Sequence, residues 1–317
     1  MKSPSNQTTL LLTILLASPW LLSAEQHFGT PHPPHDASRV PPIRTNADLV
    51  LVPVVVTDRG GAAVSVLEAG SFTILENKVP QTIVSFGNQD LPASVGVILD
   101  LSGSMRHKLK MAAAAVRAFF DSANADDEAF VLSVSTRPQD VSDFTSDFGL
   151  LQNRLLHTKP GGGTALIDTV YLGLSRIRTG QYGRRAILVV SDGMDNYSRY
   201  SKGDLLHLVE EADVQIYTIG IAPSPSECKK PIELTEERKG LGLLDNIAER
   251  SGGLSFTATS FDDIGPATLK ISRAIRNQYV LGYRPVRADN SGKWRAIQVK
   301  VSAPQTRVSA RRGYYSR

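Results

Sequence analysis

The segment "VILDLSGSM", residues 97–105, carries an apolar run into Asp100 and then sets Ser102 and Ser104 at alternate positions. Two further oxygen-bearing residues end comparable stretches: Thr164 closes "GGGT", and Asp192 closes "ILVVSD". Carboxylate and hydroxyl oxygens without sulfur or imidazole make a hard donor set, suited to Mg²⁺, Mn²⁺ or Ca²⁺ and poorly suited to zinc. Two carboxylates brought to about 4 Å repel by roughly 4 kcal/mol at an effective dielectric of 20, so a proton, a basic side chain or a cation must offset them. The loops themselves contain no Lys or Arg, the nearest being Arg106 beyond Met105. A cation with one face open to an anionic oxygen is the expected occupant.

Each piece has a plainer reading. An Asp/Ser-rich stretch after a strand is ordinary turn chemistry, "GGGT" suits a flexible loop or a helix start that receives an anion, and Asp192-Gly193 suits a tight turn. Five such positions in order, each at an expected strand end or helix start, favour the metal site. Asp195 is a candidate to support the ligands from behind, and Asp168 is expected on a helix surface. "GGGT" lacks the Gly-Lys-Ser/Thr of a phosphate-binding loop. His107, His157 and His207 fall on expected helices or their ends, as surface or capping residues.

These residues need a scaffold that delivers them to one edge. "SVGVILD", "EAFVLSVS", "RRAILVVSD", "VQIYTIGI" and "LSFTAT" read as strands, with "DVSDFTSD" as a short one. Between them lie helical patterns. One is "HKLKMAAAAVRAFFDSA", with Leu109, Ala112, Ala113, Val116 and Phe120 on one face; another is "ALIDTVYLGLSRIR". Such alternation predicts an α/β fold with a doubly wound, mostly parallel sheet covered on both faces. In an open sheet of this kind, ligands bind beyond the carboxyl ends of the strands, where Asp100, Thr164 and Asp192 fall. Residues 47–92 and 278–317 instead show short β-branched and aromatic runs with no helical period. Neither flank has enough strands to stand alone. The two are therefore expected to join into one small β-sandwich into which the α/β domain, residues 93–277, is inserted.

At this point the chain resembles a known family. "DLSGS" is similar to the D-x-S-x-S element of von Willebrand factor A domains, Thr164 in "GGGTAL" to their single threonine, and Asp192 in "VVSDGMDN" to their second aspartate. Together these form that family's metal-ion-dependent adhesion site. The resemblance implies that Ser102, Ser104 and Thr164 are hydroxyl ligands, and that Asp100 and Asp192 bind directly or through water. It covers about Ser94 to Asn277. The flanks, including "IAERSGG", "QYVLGYRP" and "ARRGYY", are similar to secreted bacterial proteins of the same family, which extends the architecture more than the mechanism.

Composition sets the outer bounds. The 317 residues are 41% hydrophobic and 21% charged, ordinary for a globular protein. Lys2 followed by an apolar stretch from Leu10 to Leu22 and then Ser23 and Ala24 reads as a secretory leader over residues 1–24, cut after Ala24 or retained as an anchor. Residues 25–46 form a Pro-rich linker whose His27, His32 and His35 lack an ordered scaffold for a metal. The net charge of +4 becomes +3 without Lys2, too small and scattered a surplus for nucleic acid. "RVSARRGYYSR" is expected to be a strand with its basic residues at alternating exposed positions. The single Cys228 excludes an internal disulfide, leaving an incidental thiol or a cross-link between chains.

The expected function is binding: a secreted, periplasmic or cell-envelope protein that captures a protein ligand's Asp or Glu carboxylate, with no membrane span after leader removal. A metal-assisted hydrolase or phosphotransferase is the alternative, although no His or Glu is placed as a general base and neither serine lies in a G-x-S-x-G elbow. A structural envelope scaffold stiffened by the metal is a third reading.

Overall fold

The computed structural model describes residues 49–157, 160–222, 231–286 and 291–316. The expected leader, the whole Pro-rich linker with its histidines, and Cys228 lie outside these residues. Among those described, no helix is long and apolar enough to cross a membrane.

The α/β layer contains β5 (Ala93–Asp100), α1 (Leu109–Asp121), β6 (Glu128–Val134), β7 (Gln139–Thr145), α2 (Phe148–His157), α3 (Leu166–Arg176), β8 (Arg184–Ser191), α4 (Lys202–Glu211), β9 (Gln215–Ile221), α5 (Pro231–Ser251), β10 (Ser255–Ala258) and α6 (Phe261–Arg276). Its sheet has the order β10-β9-β8-β5-β6-β7, with every neighbouring pair parallel except β6 and β7. The chain runs outward from β5 through β6 and β7, then returns to place β8 on the other side of β5. That reversal opens a crevice at the carboxyl ends of β5 and β8, where an open α/β sheet binds ligands.

Every residue of β5 is buried because helices cover both sheet faces. Val95, Val97 and Leu99 pack with α1 and α6, whereas Ile98 faces α3, α4 and α5. Gly96 has no side chain because a Cβ there would lie 2.5 Å from the Phe130 ring. In α1 the inward residues are Ala112, Ala115, Val116, Phe119 and Phe120. Ala113, expected on that face, is exposed: the buried stripe runs through residues 112, 115–116 and 119–120, and Ala113 lies beyond its rim.

The flanking segments pair with each other. β1 (Val50–Thr57), β2 (Phe72–Glu76), β3 (Val79–Gln81) and β4 (Ile83–Gly87) precede the α/β layer, and β11 (Tyr279–Tyr283), β12 (Trp294–Val301), β13 (Arg307–Ala310) and β14 (Gly313–Tyr315) follow it. They form two antiparallel sheets, β13-β1-β11-β4 and β14-β12-β2-β3, each mixing strands from both ends of the chain. One apolar core serves both sheets, built on Val52, Val54, Phe72, Ile74, Tyr279, Leu281, Tyr283 and Ile297.

The basic C-terminal stretch is not one strand. It breaks between β13 and β14, which belong to different sheets. Arg307 and Arg312 are exposed as expected, but Arg311 is not. Arg311 is largely buried, donates to the Leu51 carbonyl at 2.6 Å and pairs with Asp213 at 3.3 Å, and Arg312 pairs with Glu249. The step from one sheet to the other turns these side chains toward the α/β layer.

A buried charge locks the flanks together. Glu76 on β2 accepts from Arg295 on β12 at 2.6 Å, from the Tyr283 hydroxyl of β11 at 2.6 Å and from the Tyr314 hydroxyl of β14 at 2.9 Å. Burial, with Glu76 beside it, pushes the Tyr314 hydroxyl up to about 12, so it remains a donor. Removing one member of a buried ion pair leaves the other charge uncompensated. Glu76→Ala is therefore expected to lower unfolding stability by ~3–5 kcal/mol, read from urea midpoints; a loss under ~1 kcal/mol would show that the network does not hold the flanks.

Candidate metal centre

The crevice between β5 and β8 is assembled from three loops stitched by their backbones. After β5, the Leu101 carbonyl accepts from Gly161 N–H at 2.8 Å and Gly103 N–H donates to the Gly162 carbonyl at 3.0 Å, joining the first loop to "GGGT". The Thr164 carbonyl accepts from the N–H groups of Asn196 and Tyr197 at 3.0 Å, and Thr164 N–H donates to Asn196 Oδ1 at 2.8 Å, joining "GGGT" to the loop after β8. Asp100, Ser102, Thr164 and Asp192 are buried, while Ser104 stands exposed at the rim.

Asp100 is fully buried and pairs with no Lys or Arg among the described residues. Its Oδ1 accepts from Ser102 N–H at 2.9 Å and its Oδ2 from the Ser191 hydroxyl at 2.5 Å. Burial pushes its carboxyl up to about 6; those hydrogen bonds act against the shift, and the nearby Asp192 adds to it. Ser102 and Ser104 hydroxyls lie 3.0 Å apart. Asp192 Oδ1 accepts from Met194 N–H at 3.1 Å, and Oδ2 accepts from Lys108 Nζ at 3.2 Å.

That lysine was not legible as a partner. Lys108 lies past Arg106, at the turn before α1, and folds back to Asp192, so the site has a basic neighbour that counting residues within the loops did not find. Ser191 was missed as well. Its hydroxyl accepts from Gly193 N–H at 2.9 Å while donating to Asp100, so it links the two acidic loops. A serine directly before the strand-end aspartate was the available signal.

Asp168 is a correction. Expected on a helix surface, it is 5% exposed, and its carboxylate accepts from the N–H groups of Arg199 and Tyr200 and from Arg199 Nε. The loop after β8 folds over the first turn of α3 and covers it. Asp195 sits behind the cluster, accepting from Ile167 N–H at 3.1 Å and the Ser198 hydroxyl at 2.6 Å. Asp195 thus satisfies an orphan donor where α3 begins, behind Thr164, while Asp168 in that first turn holds the loop after β8 over it.

Glycine is required at the base of the third loop. Gly193 has φ of +76°, and a Cβ there would lie 2.1 Å from the Gly240 carbonyl of α5. The helix packs directly against the backbone that carries Asp192.

Among the described residues no three His, Cys, Asp or Glu side chains gather closely enough to hold a metal, so a cation here would have to draw on hydroxyls. The donor chemistry fits one: each engaged carboxylate oxygen keeps a further lone pair, and Ser104 faces solvent.

The fold and its crevice define a von Willebrand factor A-like α/β layer carrying flanking antiparallel sheets. Residues 95–194 match the family model of the von Willebrand factor type A domain, a stretch that includes Asp100, Ser102, Ser104, Thr164 and Asp192. An uncharacterised protein of Borreliella burgdorferi is 25% identical over 184 residues, 52% of this chain and 53% of that protein. The chain thus spans about half the length of this curated relative. Similar solved structures include the conserved hypothetical protein BatB of Bacteroides thetaiotaomicron, at 20% identity over 57% of this chain and 98% of that one, with a TM-score of 0.46. The von Willebrand factor domain of a type V pilus tip protein from Porphyromonas gingivalis is 14% identical over 59% and 95%, with a TM-score of 0.47. Proximal thread matrix protein 1 of the mussel byssus, with a zinc-occupied metal-ion-dependent adhesion motif, is 17% identical over 63% and 49%, with a TM-score of 0.45.

The raised carboxyl of Asp100 has a sign that can be measured. Between its ordinary value of 3.8 and about 6 the folded protein holds a proton that the unfolded chain has lost. In chelator this group therefore costs no stability below pH 4, costs progressively more as pH rises to 6, and reaches ~3 kcal/mol above that. Asp100→Asn mimics the protonated side chain. Its stability is expected to match wild type at pH 4 and exceed it at pH 7, in urea titrations with EDTA; equal stability at both pH values would show that Asp100 bears no such penalty.

Proposed function

We propose that this chain is an exported, metal-dependent protein-binding module that captures an acidic side chain of a partner through a divalent cation. The observation that carries this reading is a fully buried Asp100 without a basic partner, set at the crevice of the sheet beside Asp192 and under an exposed Ser104. Asp100, Ser102, Ser104, Thr164 and Asp192 would hold the ion. Mg²⁺ is the first expectation and Mn²⁺ or Ca²⁺ the alternatives, on the hardness of the oxygen set. When bound, the ion supplies a coordination position for an Asp or Glu carboxylate of the partner.

The protein's own groups do the remainder. Ser191 and the Ser102 N–H orient the Asp100 carboxylate, Asp195 caps the start of α3 behind Thr164, and Asp168 ties the loop after β8 to that turn. The loops that carry the site also present contact residues. Arg106 and His107 are exposed beyond Ser104. Tyr197, next to the Thr164 backbone, is 57% exposed, and Tyr200 stacks on Tyr171 with ring centroids 4.2 Å apart. Arginine and tyrosine are frequent anchors at interfaces, and the basic groups suit an acidic partner. The expected leader supports a place outside the cytoplasm, in the periplasm, cell envelope or surroundings.

The test is capture by the immobilised full chain in magnesium, followed by EDTA elution, beside Asp100→Ala and with manganese, calcium and zinc as further ions. Wild type is expected to retain a partner only with the ion, and Asp100→Ala to lose it at least tenfold while melting as a folded protein. Retention that survives EDTA would overturn the reading. A large magnesium-dependent rise in melting temperature with no partner retained would favour a scaffold instead.

A further inference from the structure

We propose that Lys108 is a tethered countercation of the metal centre: its ammonium neutralises Asp192 in the metal-free protein and weakens divalent-ion binding by competing for that carboxylate. This inference rests on the metal-dependent reading above and assigns a determinant of ion affinity outside the five expected ligands.

The geometry is specific. Lys108 Nζ lies 3.2 Å from Asp192 Oδ2 and 3.7 Å from Glu237 Oε1 of α5, with its side chain only 13% exposed. Its backbone is fixed at the turn before α1, donating from N–H to the Met105 carbonyl at 2.8 Å and accepting from Ala112 N–H at 3.0 Å. Met105 is itself fully buried in the α/β core, so the lysine is projected from a rigid base. Asp192 is almost completely buried, which leaves the ammonium poorly screened from whatever charge enters the crevice.

The two acids are therefore not equivalent. Asp100 meets only neutral donors, whereas Asp192 already has a cation. A dication drawing on both acids must share Asp192 with Lys108 or displace it, and either course opposes loading by like-charge repulsion. Glu237 gives the displaced ammonium a second carboxylate within reach, so displacement does not strand a partly buried charge. A partner carboxylate entering the crevice adds negative charge to the same cluster and offsets the lysine. Ion and partner should then each bind more tightly in the presence of the other, as linkage between two such sites requires.

The experiment is calorimetric titration of the full chain with magnesium chloride, comparing wild type, Lys108→Met and Lys108→Arg, with melting temperatures of each in EDTA. Lys108→Met retains the apolar stem and removes the charge. It is expected to melt lower than wild type in EDTA yet bind magnesium about tenfold more tightly, the scale of one partly buried ion pair. Lys108→Arg should remain within about twofold of wild type. If Lys108→Met melts lower but binds magnesium equally or more weakly, the lysine is only structural and the inference is overturned. If neither wild type nor Lys108→Met binds magnesium at tens of millimolar, the metal-dependent reading falls and this inference with it, a result distinct from equal affinities.

Discussion

The structure turns on a carboxylate taken out of water with no positive charge in contact. Asp100 ends the central strand, has no exposed surface, and is held by a backbone N–H and a serine hydroxyl. In a layer whose strand interiors are mostly apolar, such a group is costly unless something of opposite charge arrives. The surrounding architecture keeps it in place. β6 and β8 pin β5 on both sides, Ser191 ties Asp100 to the next acidic loop, and the "GGGT" backbone is bonded to the loops on either side.

Small residues let the helices approach closely enough to maintain that environment. Ala112 and Ala115 bring α1 down onto the sheet, Gly96 admits the Phe130 ring, and the Gly193–Gly240 contact brings α5 against the third loop. Close approach leaves little room for the loops to relax when charge changes. The cluster must answer electrostatically, through side chains that already face it, rather than by spreading apart.

Much of this was legible in the chain. Alternating strand and helix patterns imply the parallel sheet, and a strand ending in Asp100 followed by alternate serines implies a convergent oxygen set. Pairing between the flanks was inferable because neither could close a core alone, and the structure interleaves β1 with β11 and β2 with β12. What escaped depends on direction rather than composition. Lys108 counted as outside the loop until the turn before α1 aimed it inward. Asp168 has the periodicity of a helix surface, but the loop after β8 covers it, and no local pattern encodes that cover. The break between β13 and β14 falls where the alternation of Arg307 to Arg311 stops at Arg312, a local irregularity that does not reveal that the chain changes sheets.

The insertion also has a mechanical side. β4 and β11, which lead into and out of the α/β layer, lie hydrogen-bonded to each other, and β5 runs from that end to Asp100, about 23 Å at ordinary strand rise. Tension between the crevice and the sandwich would pull β5 along its length. The rungs to β6 and β8 would then share the load in shear, all at once, instead of unzipping one after another.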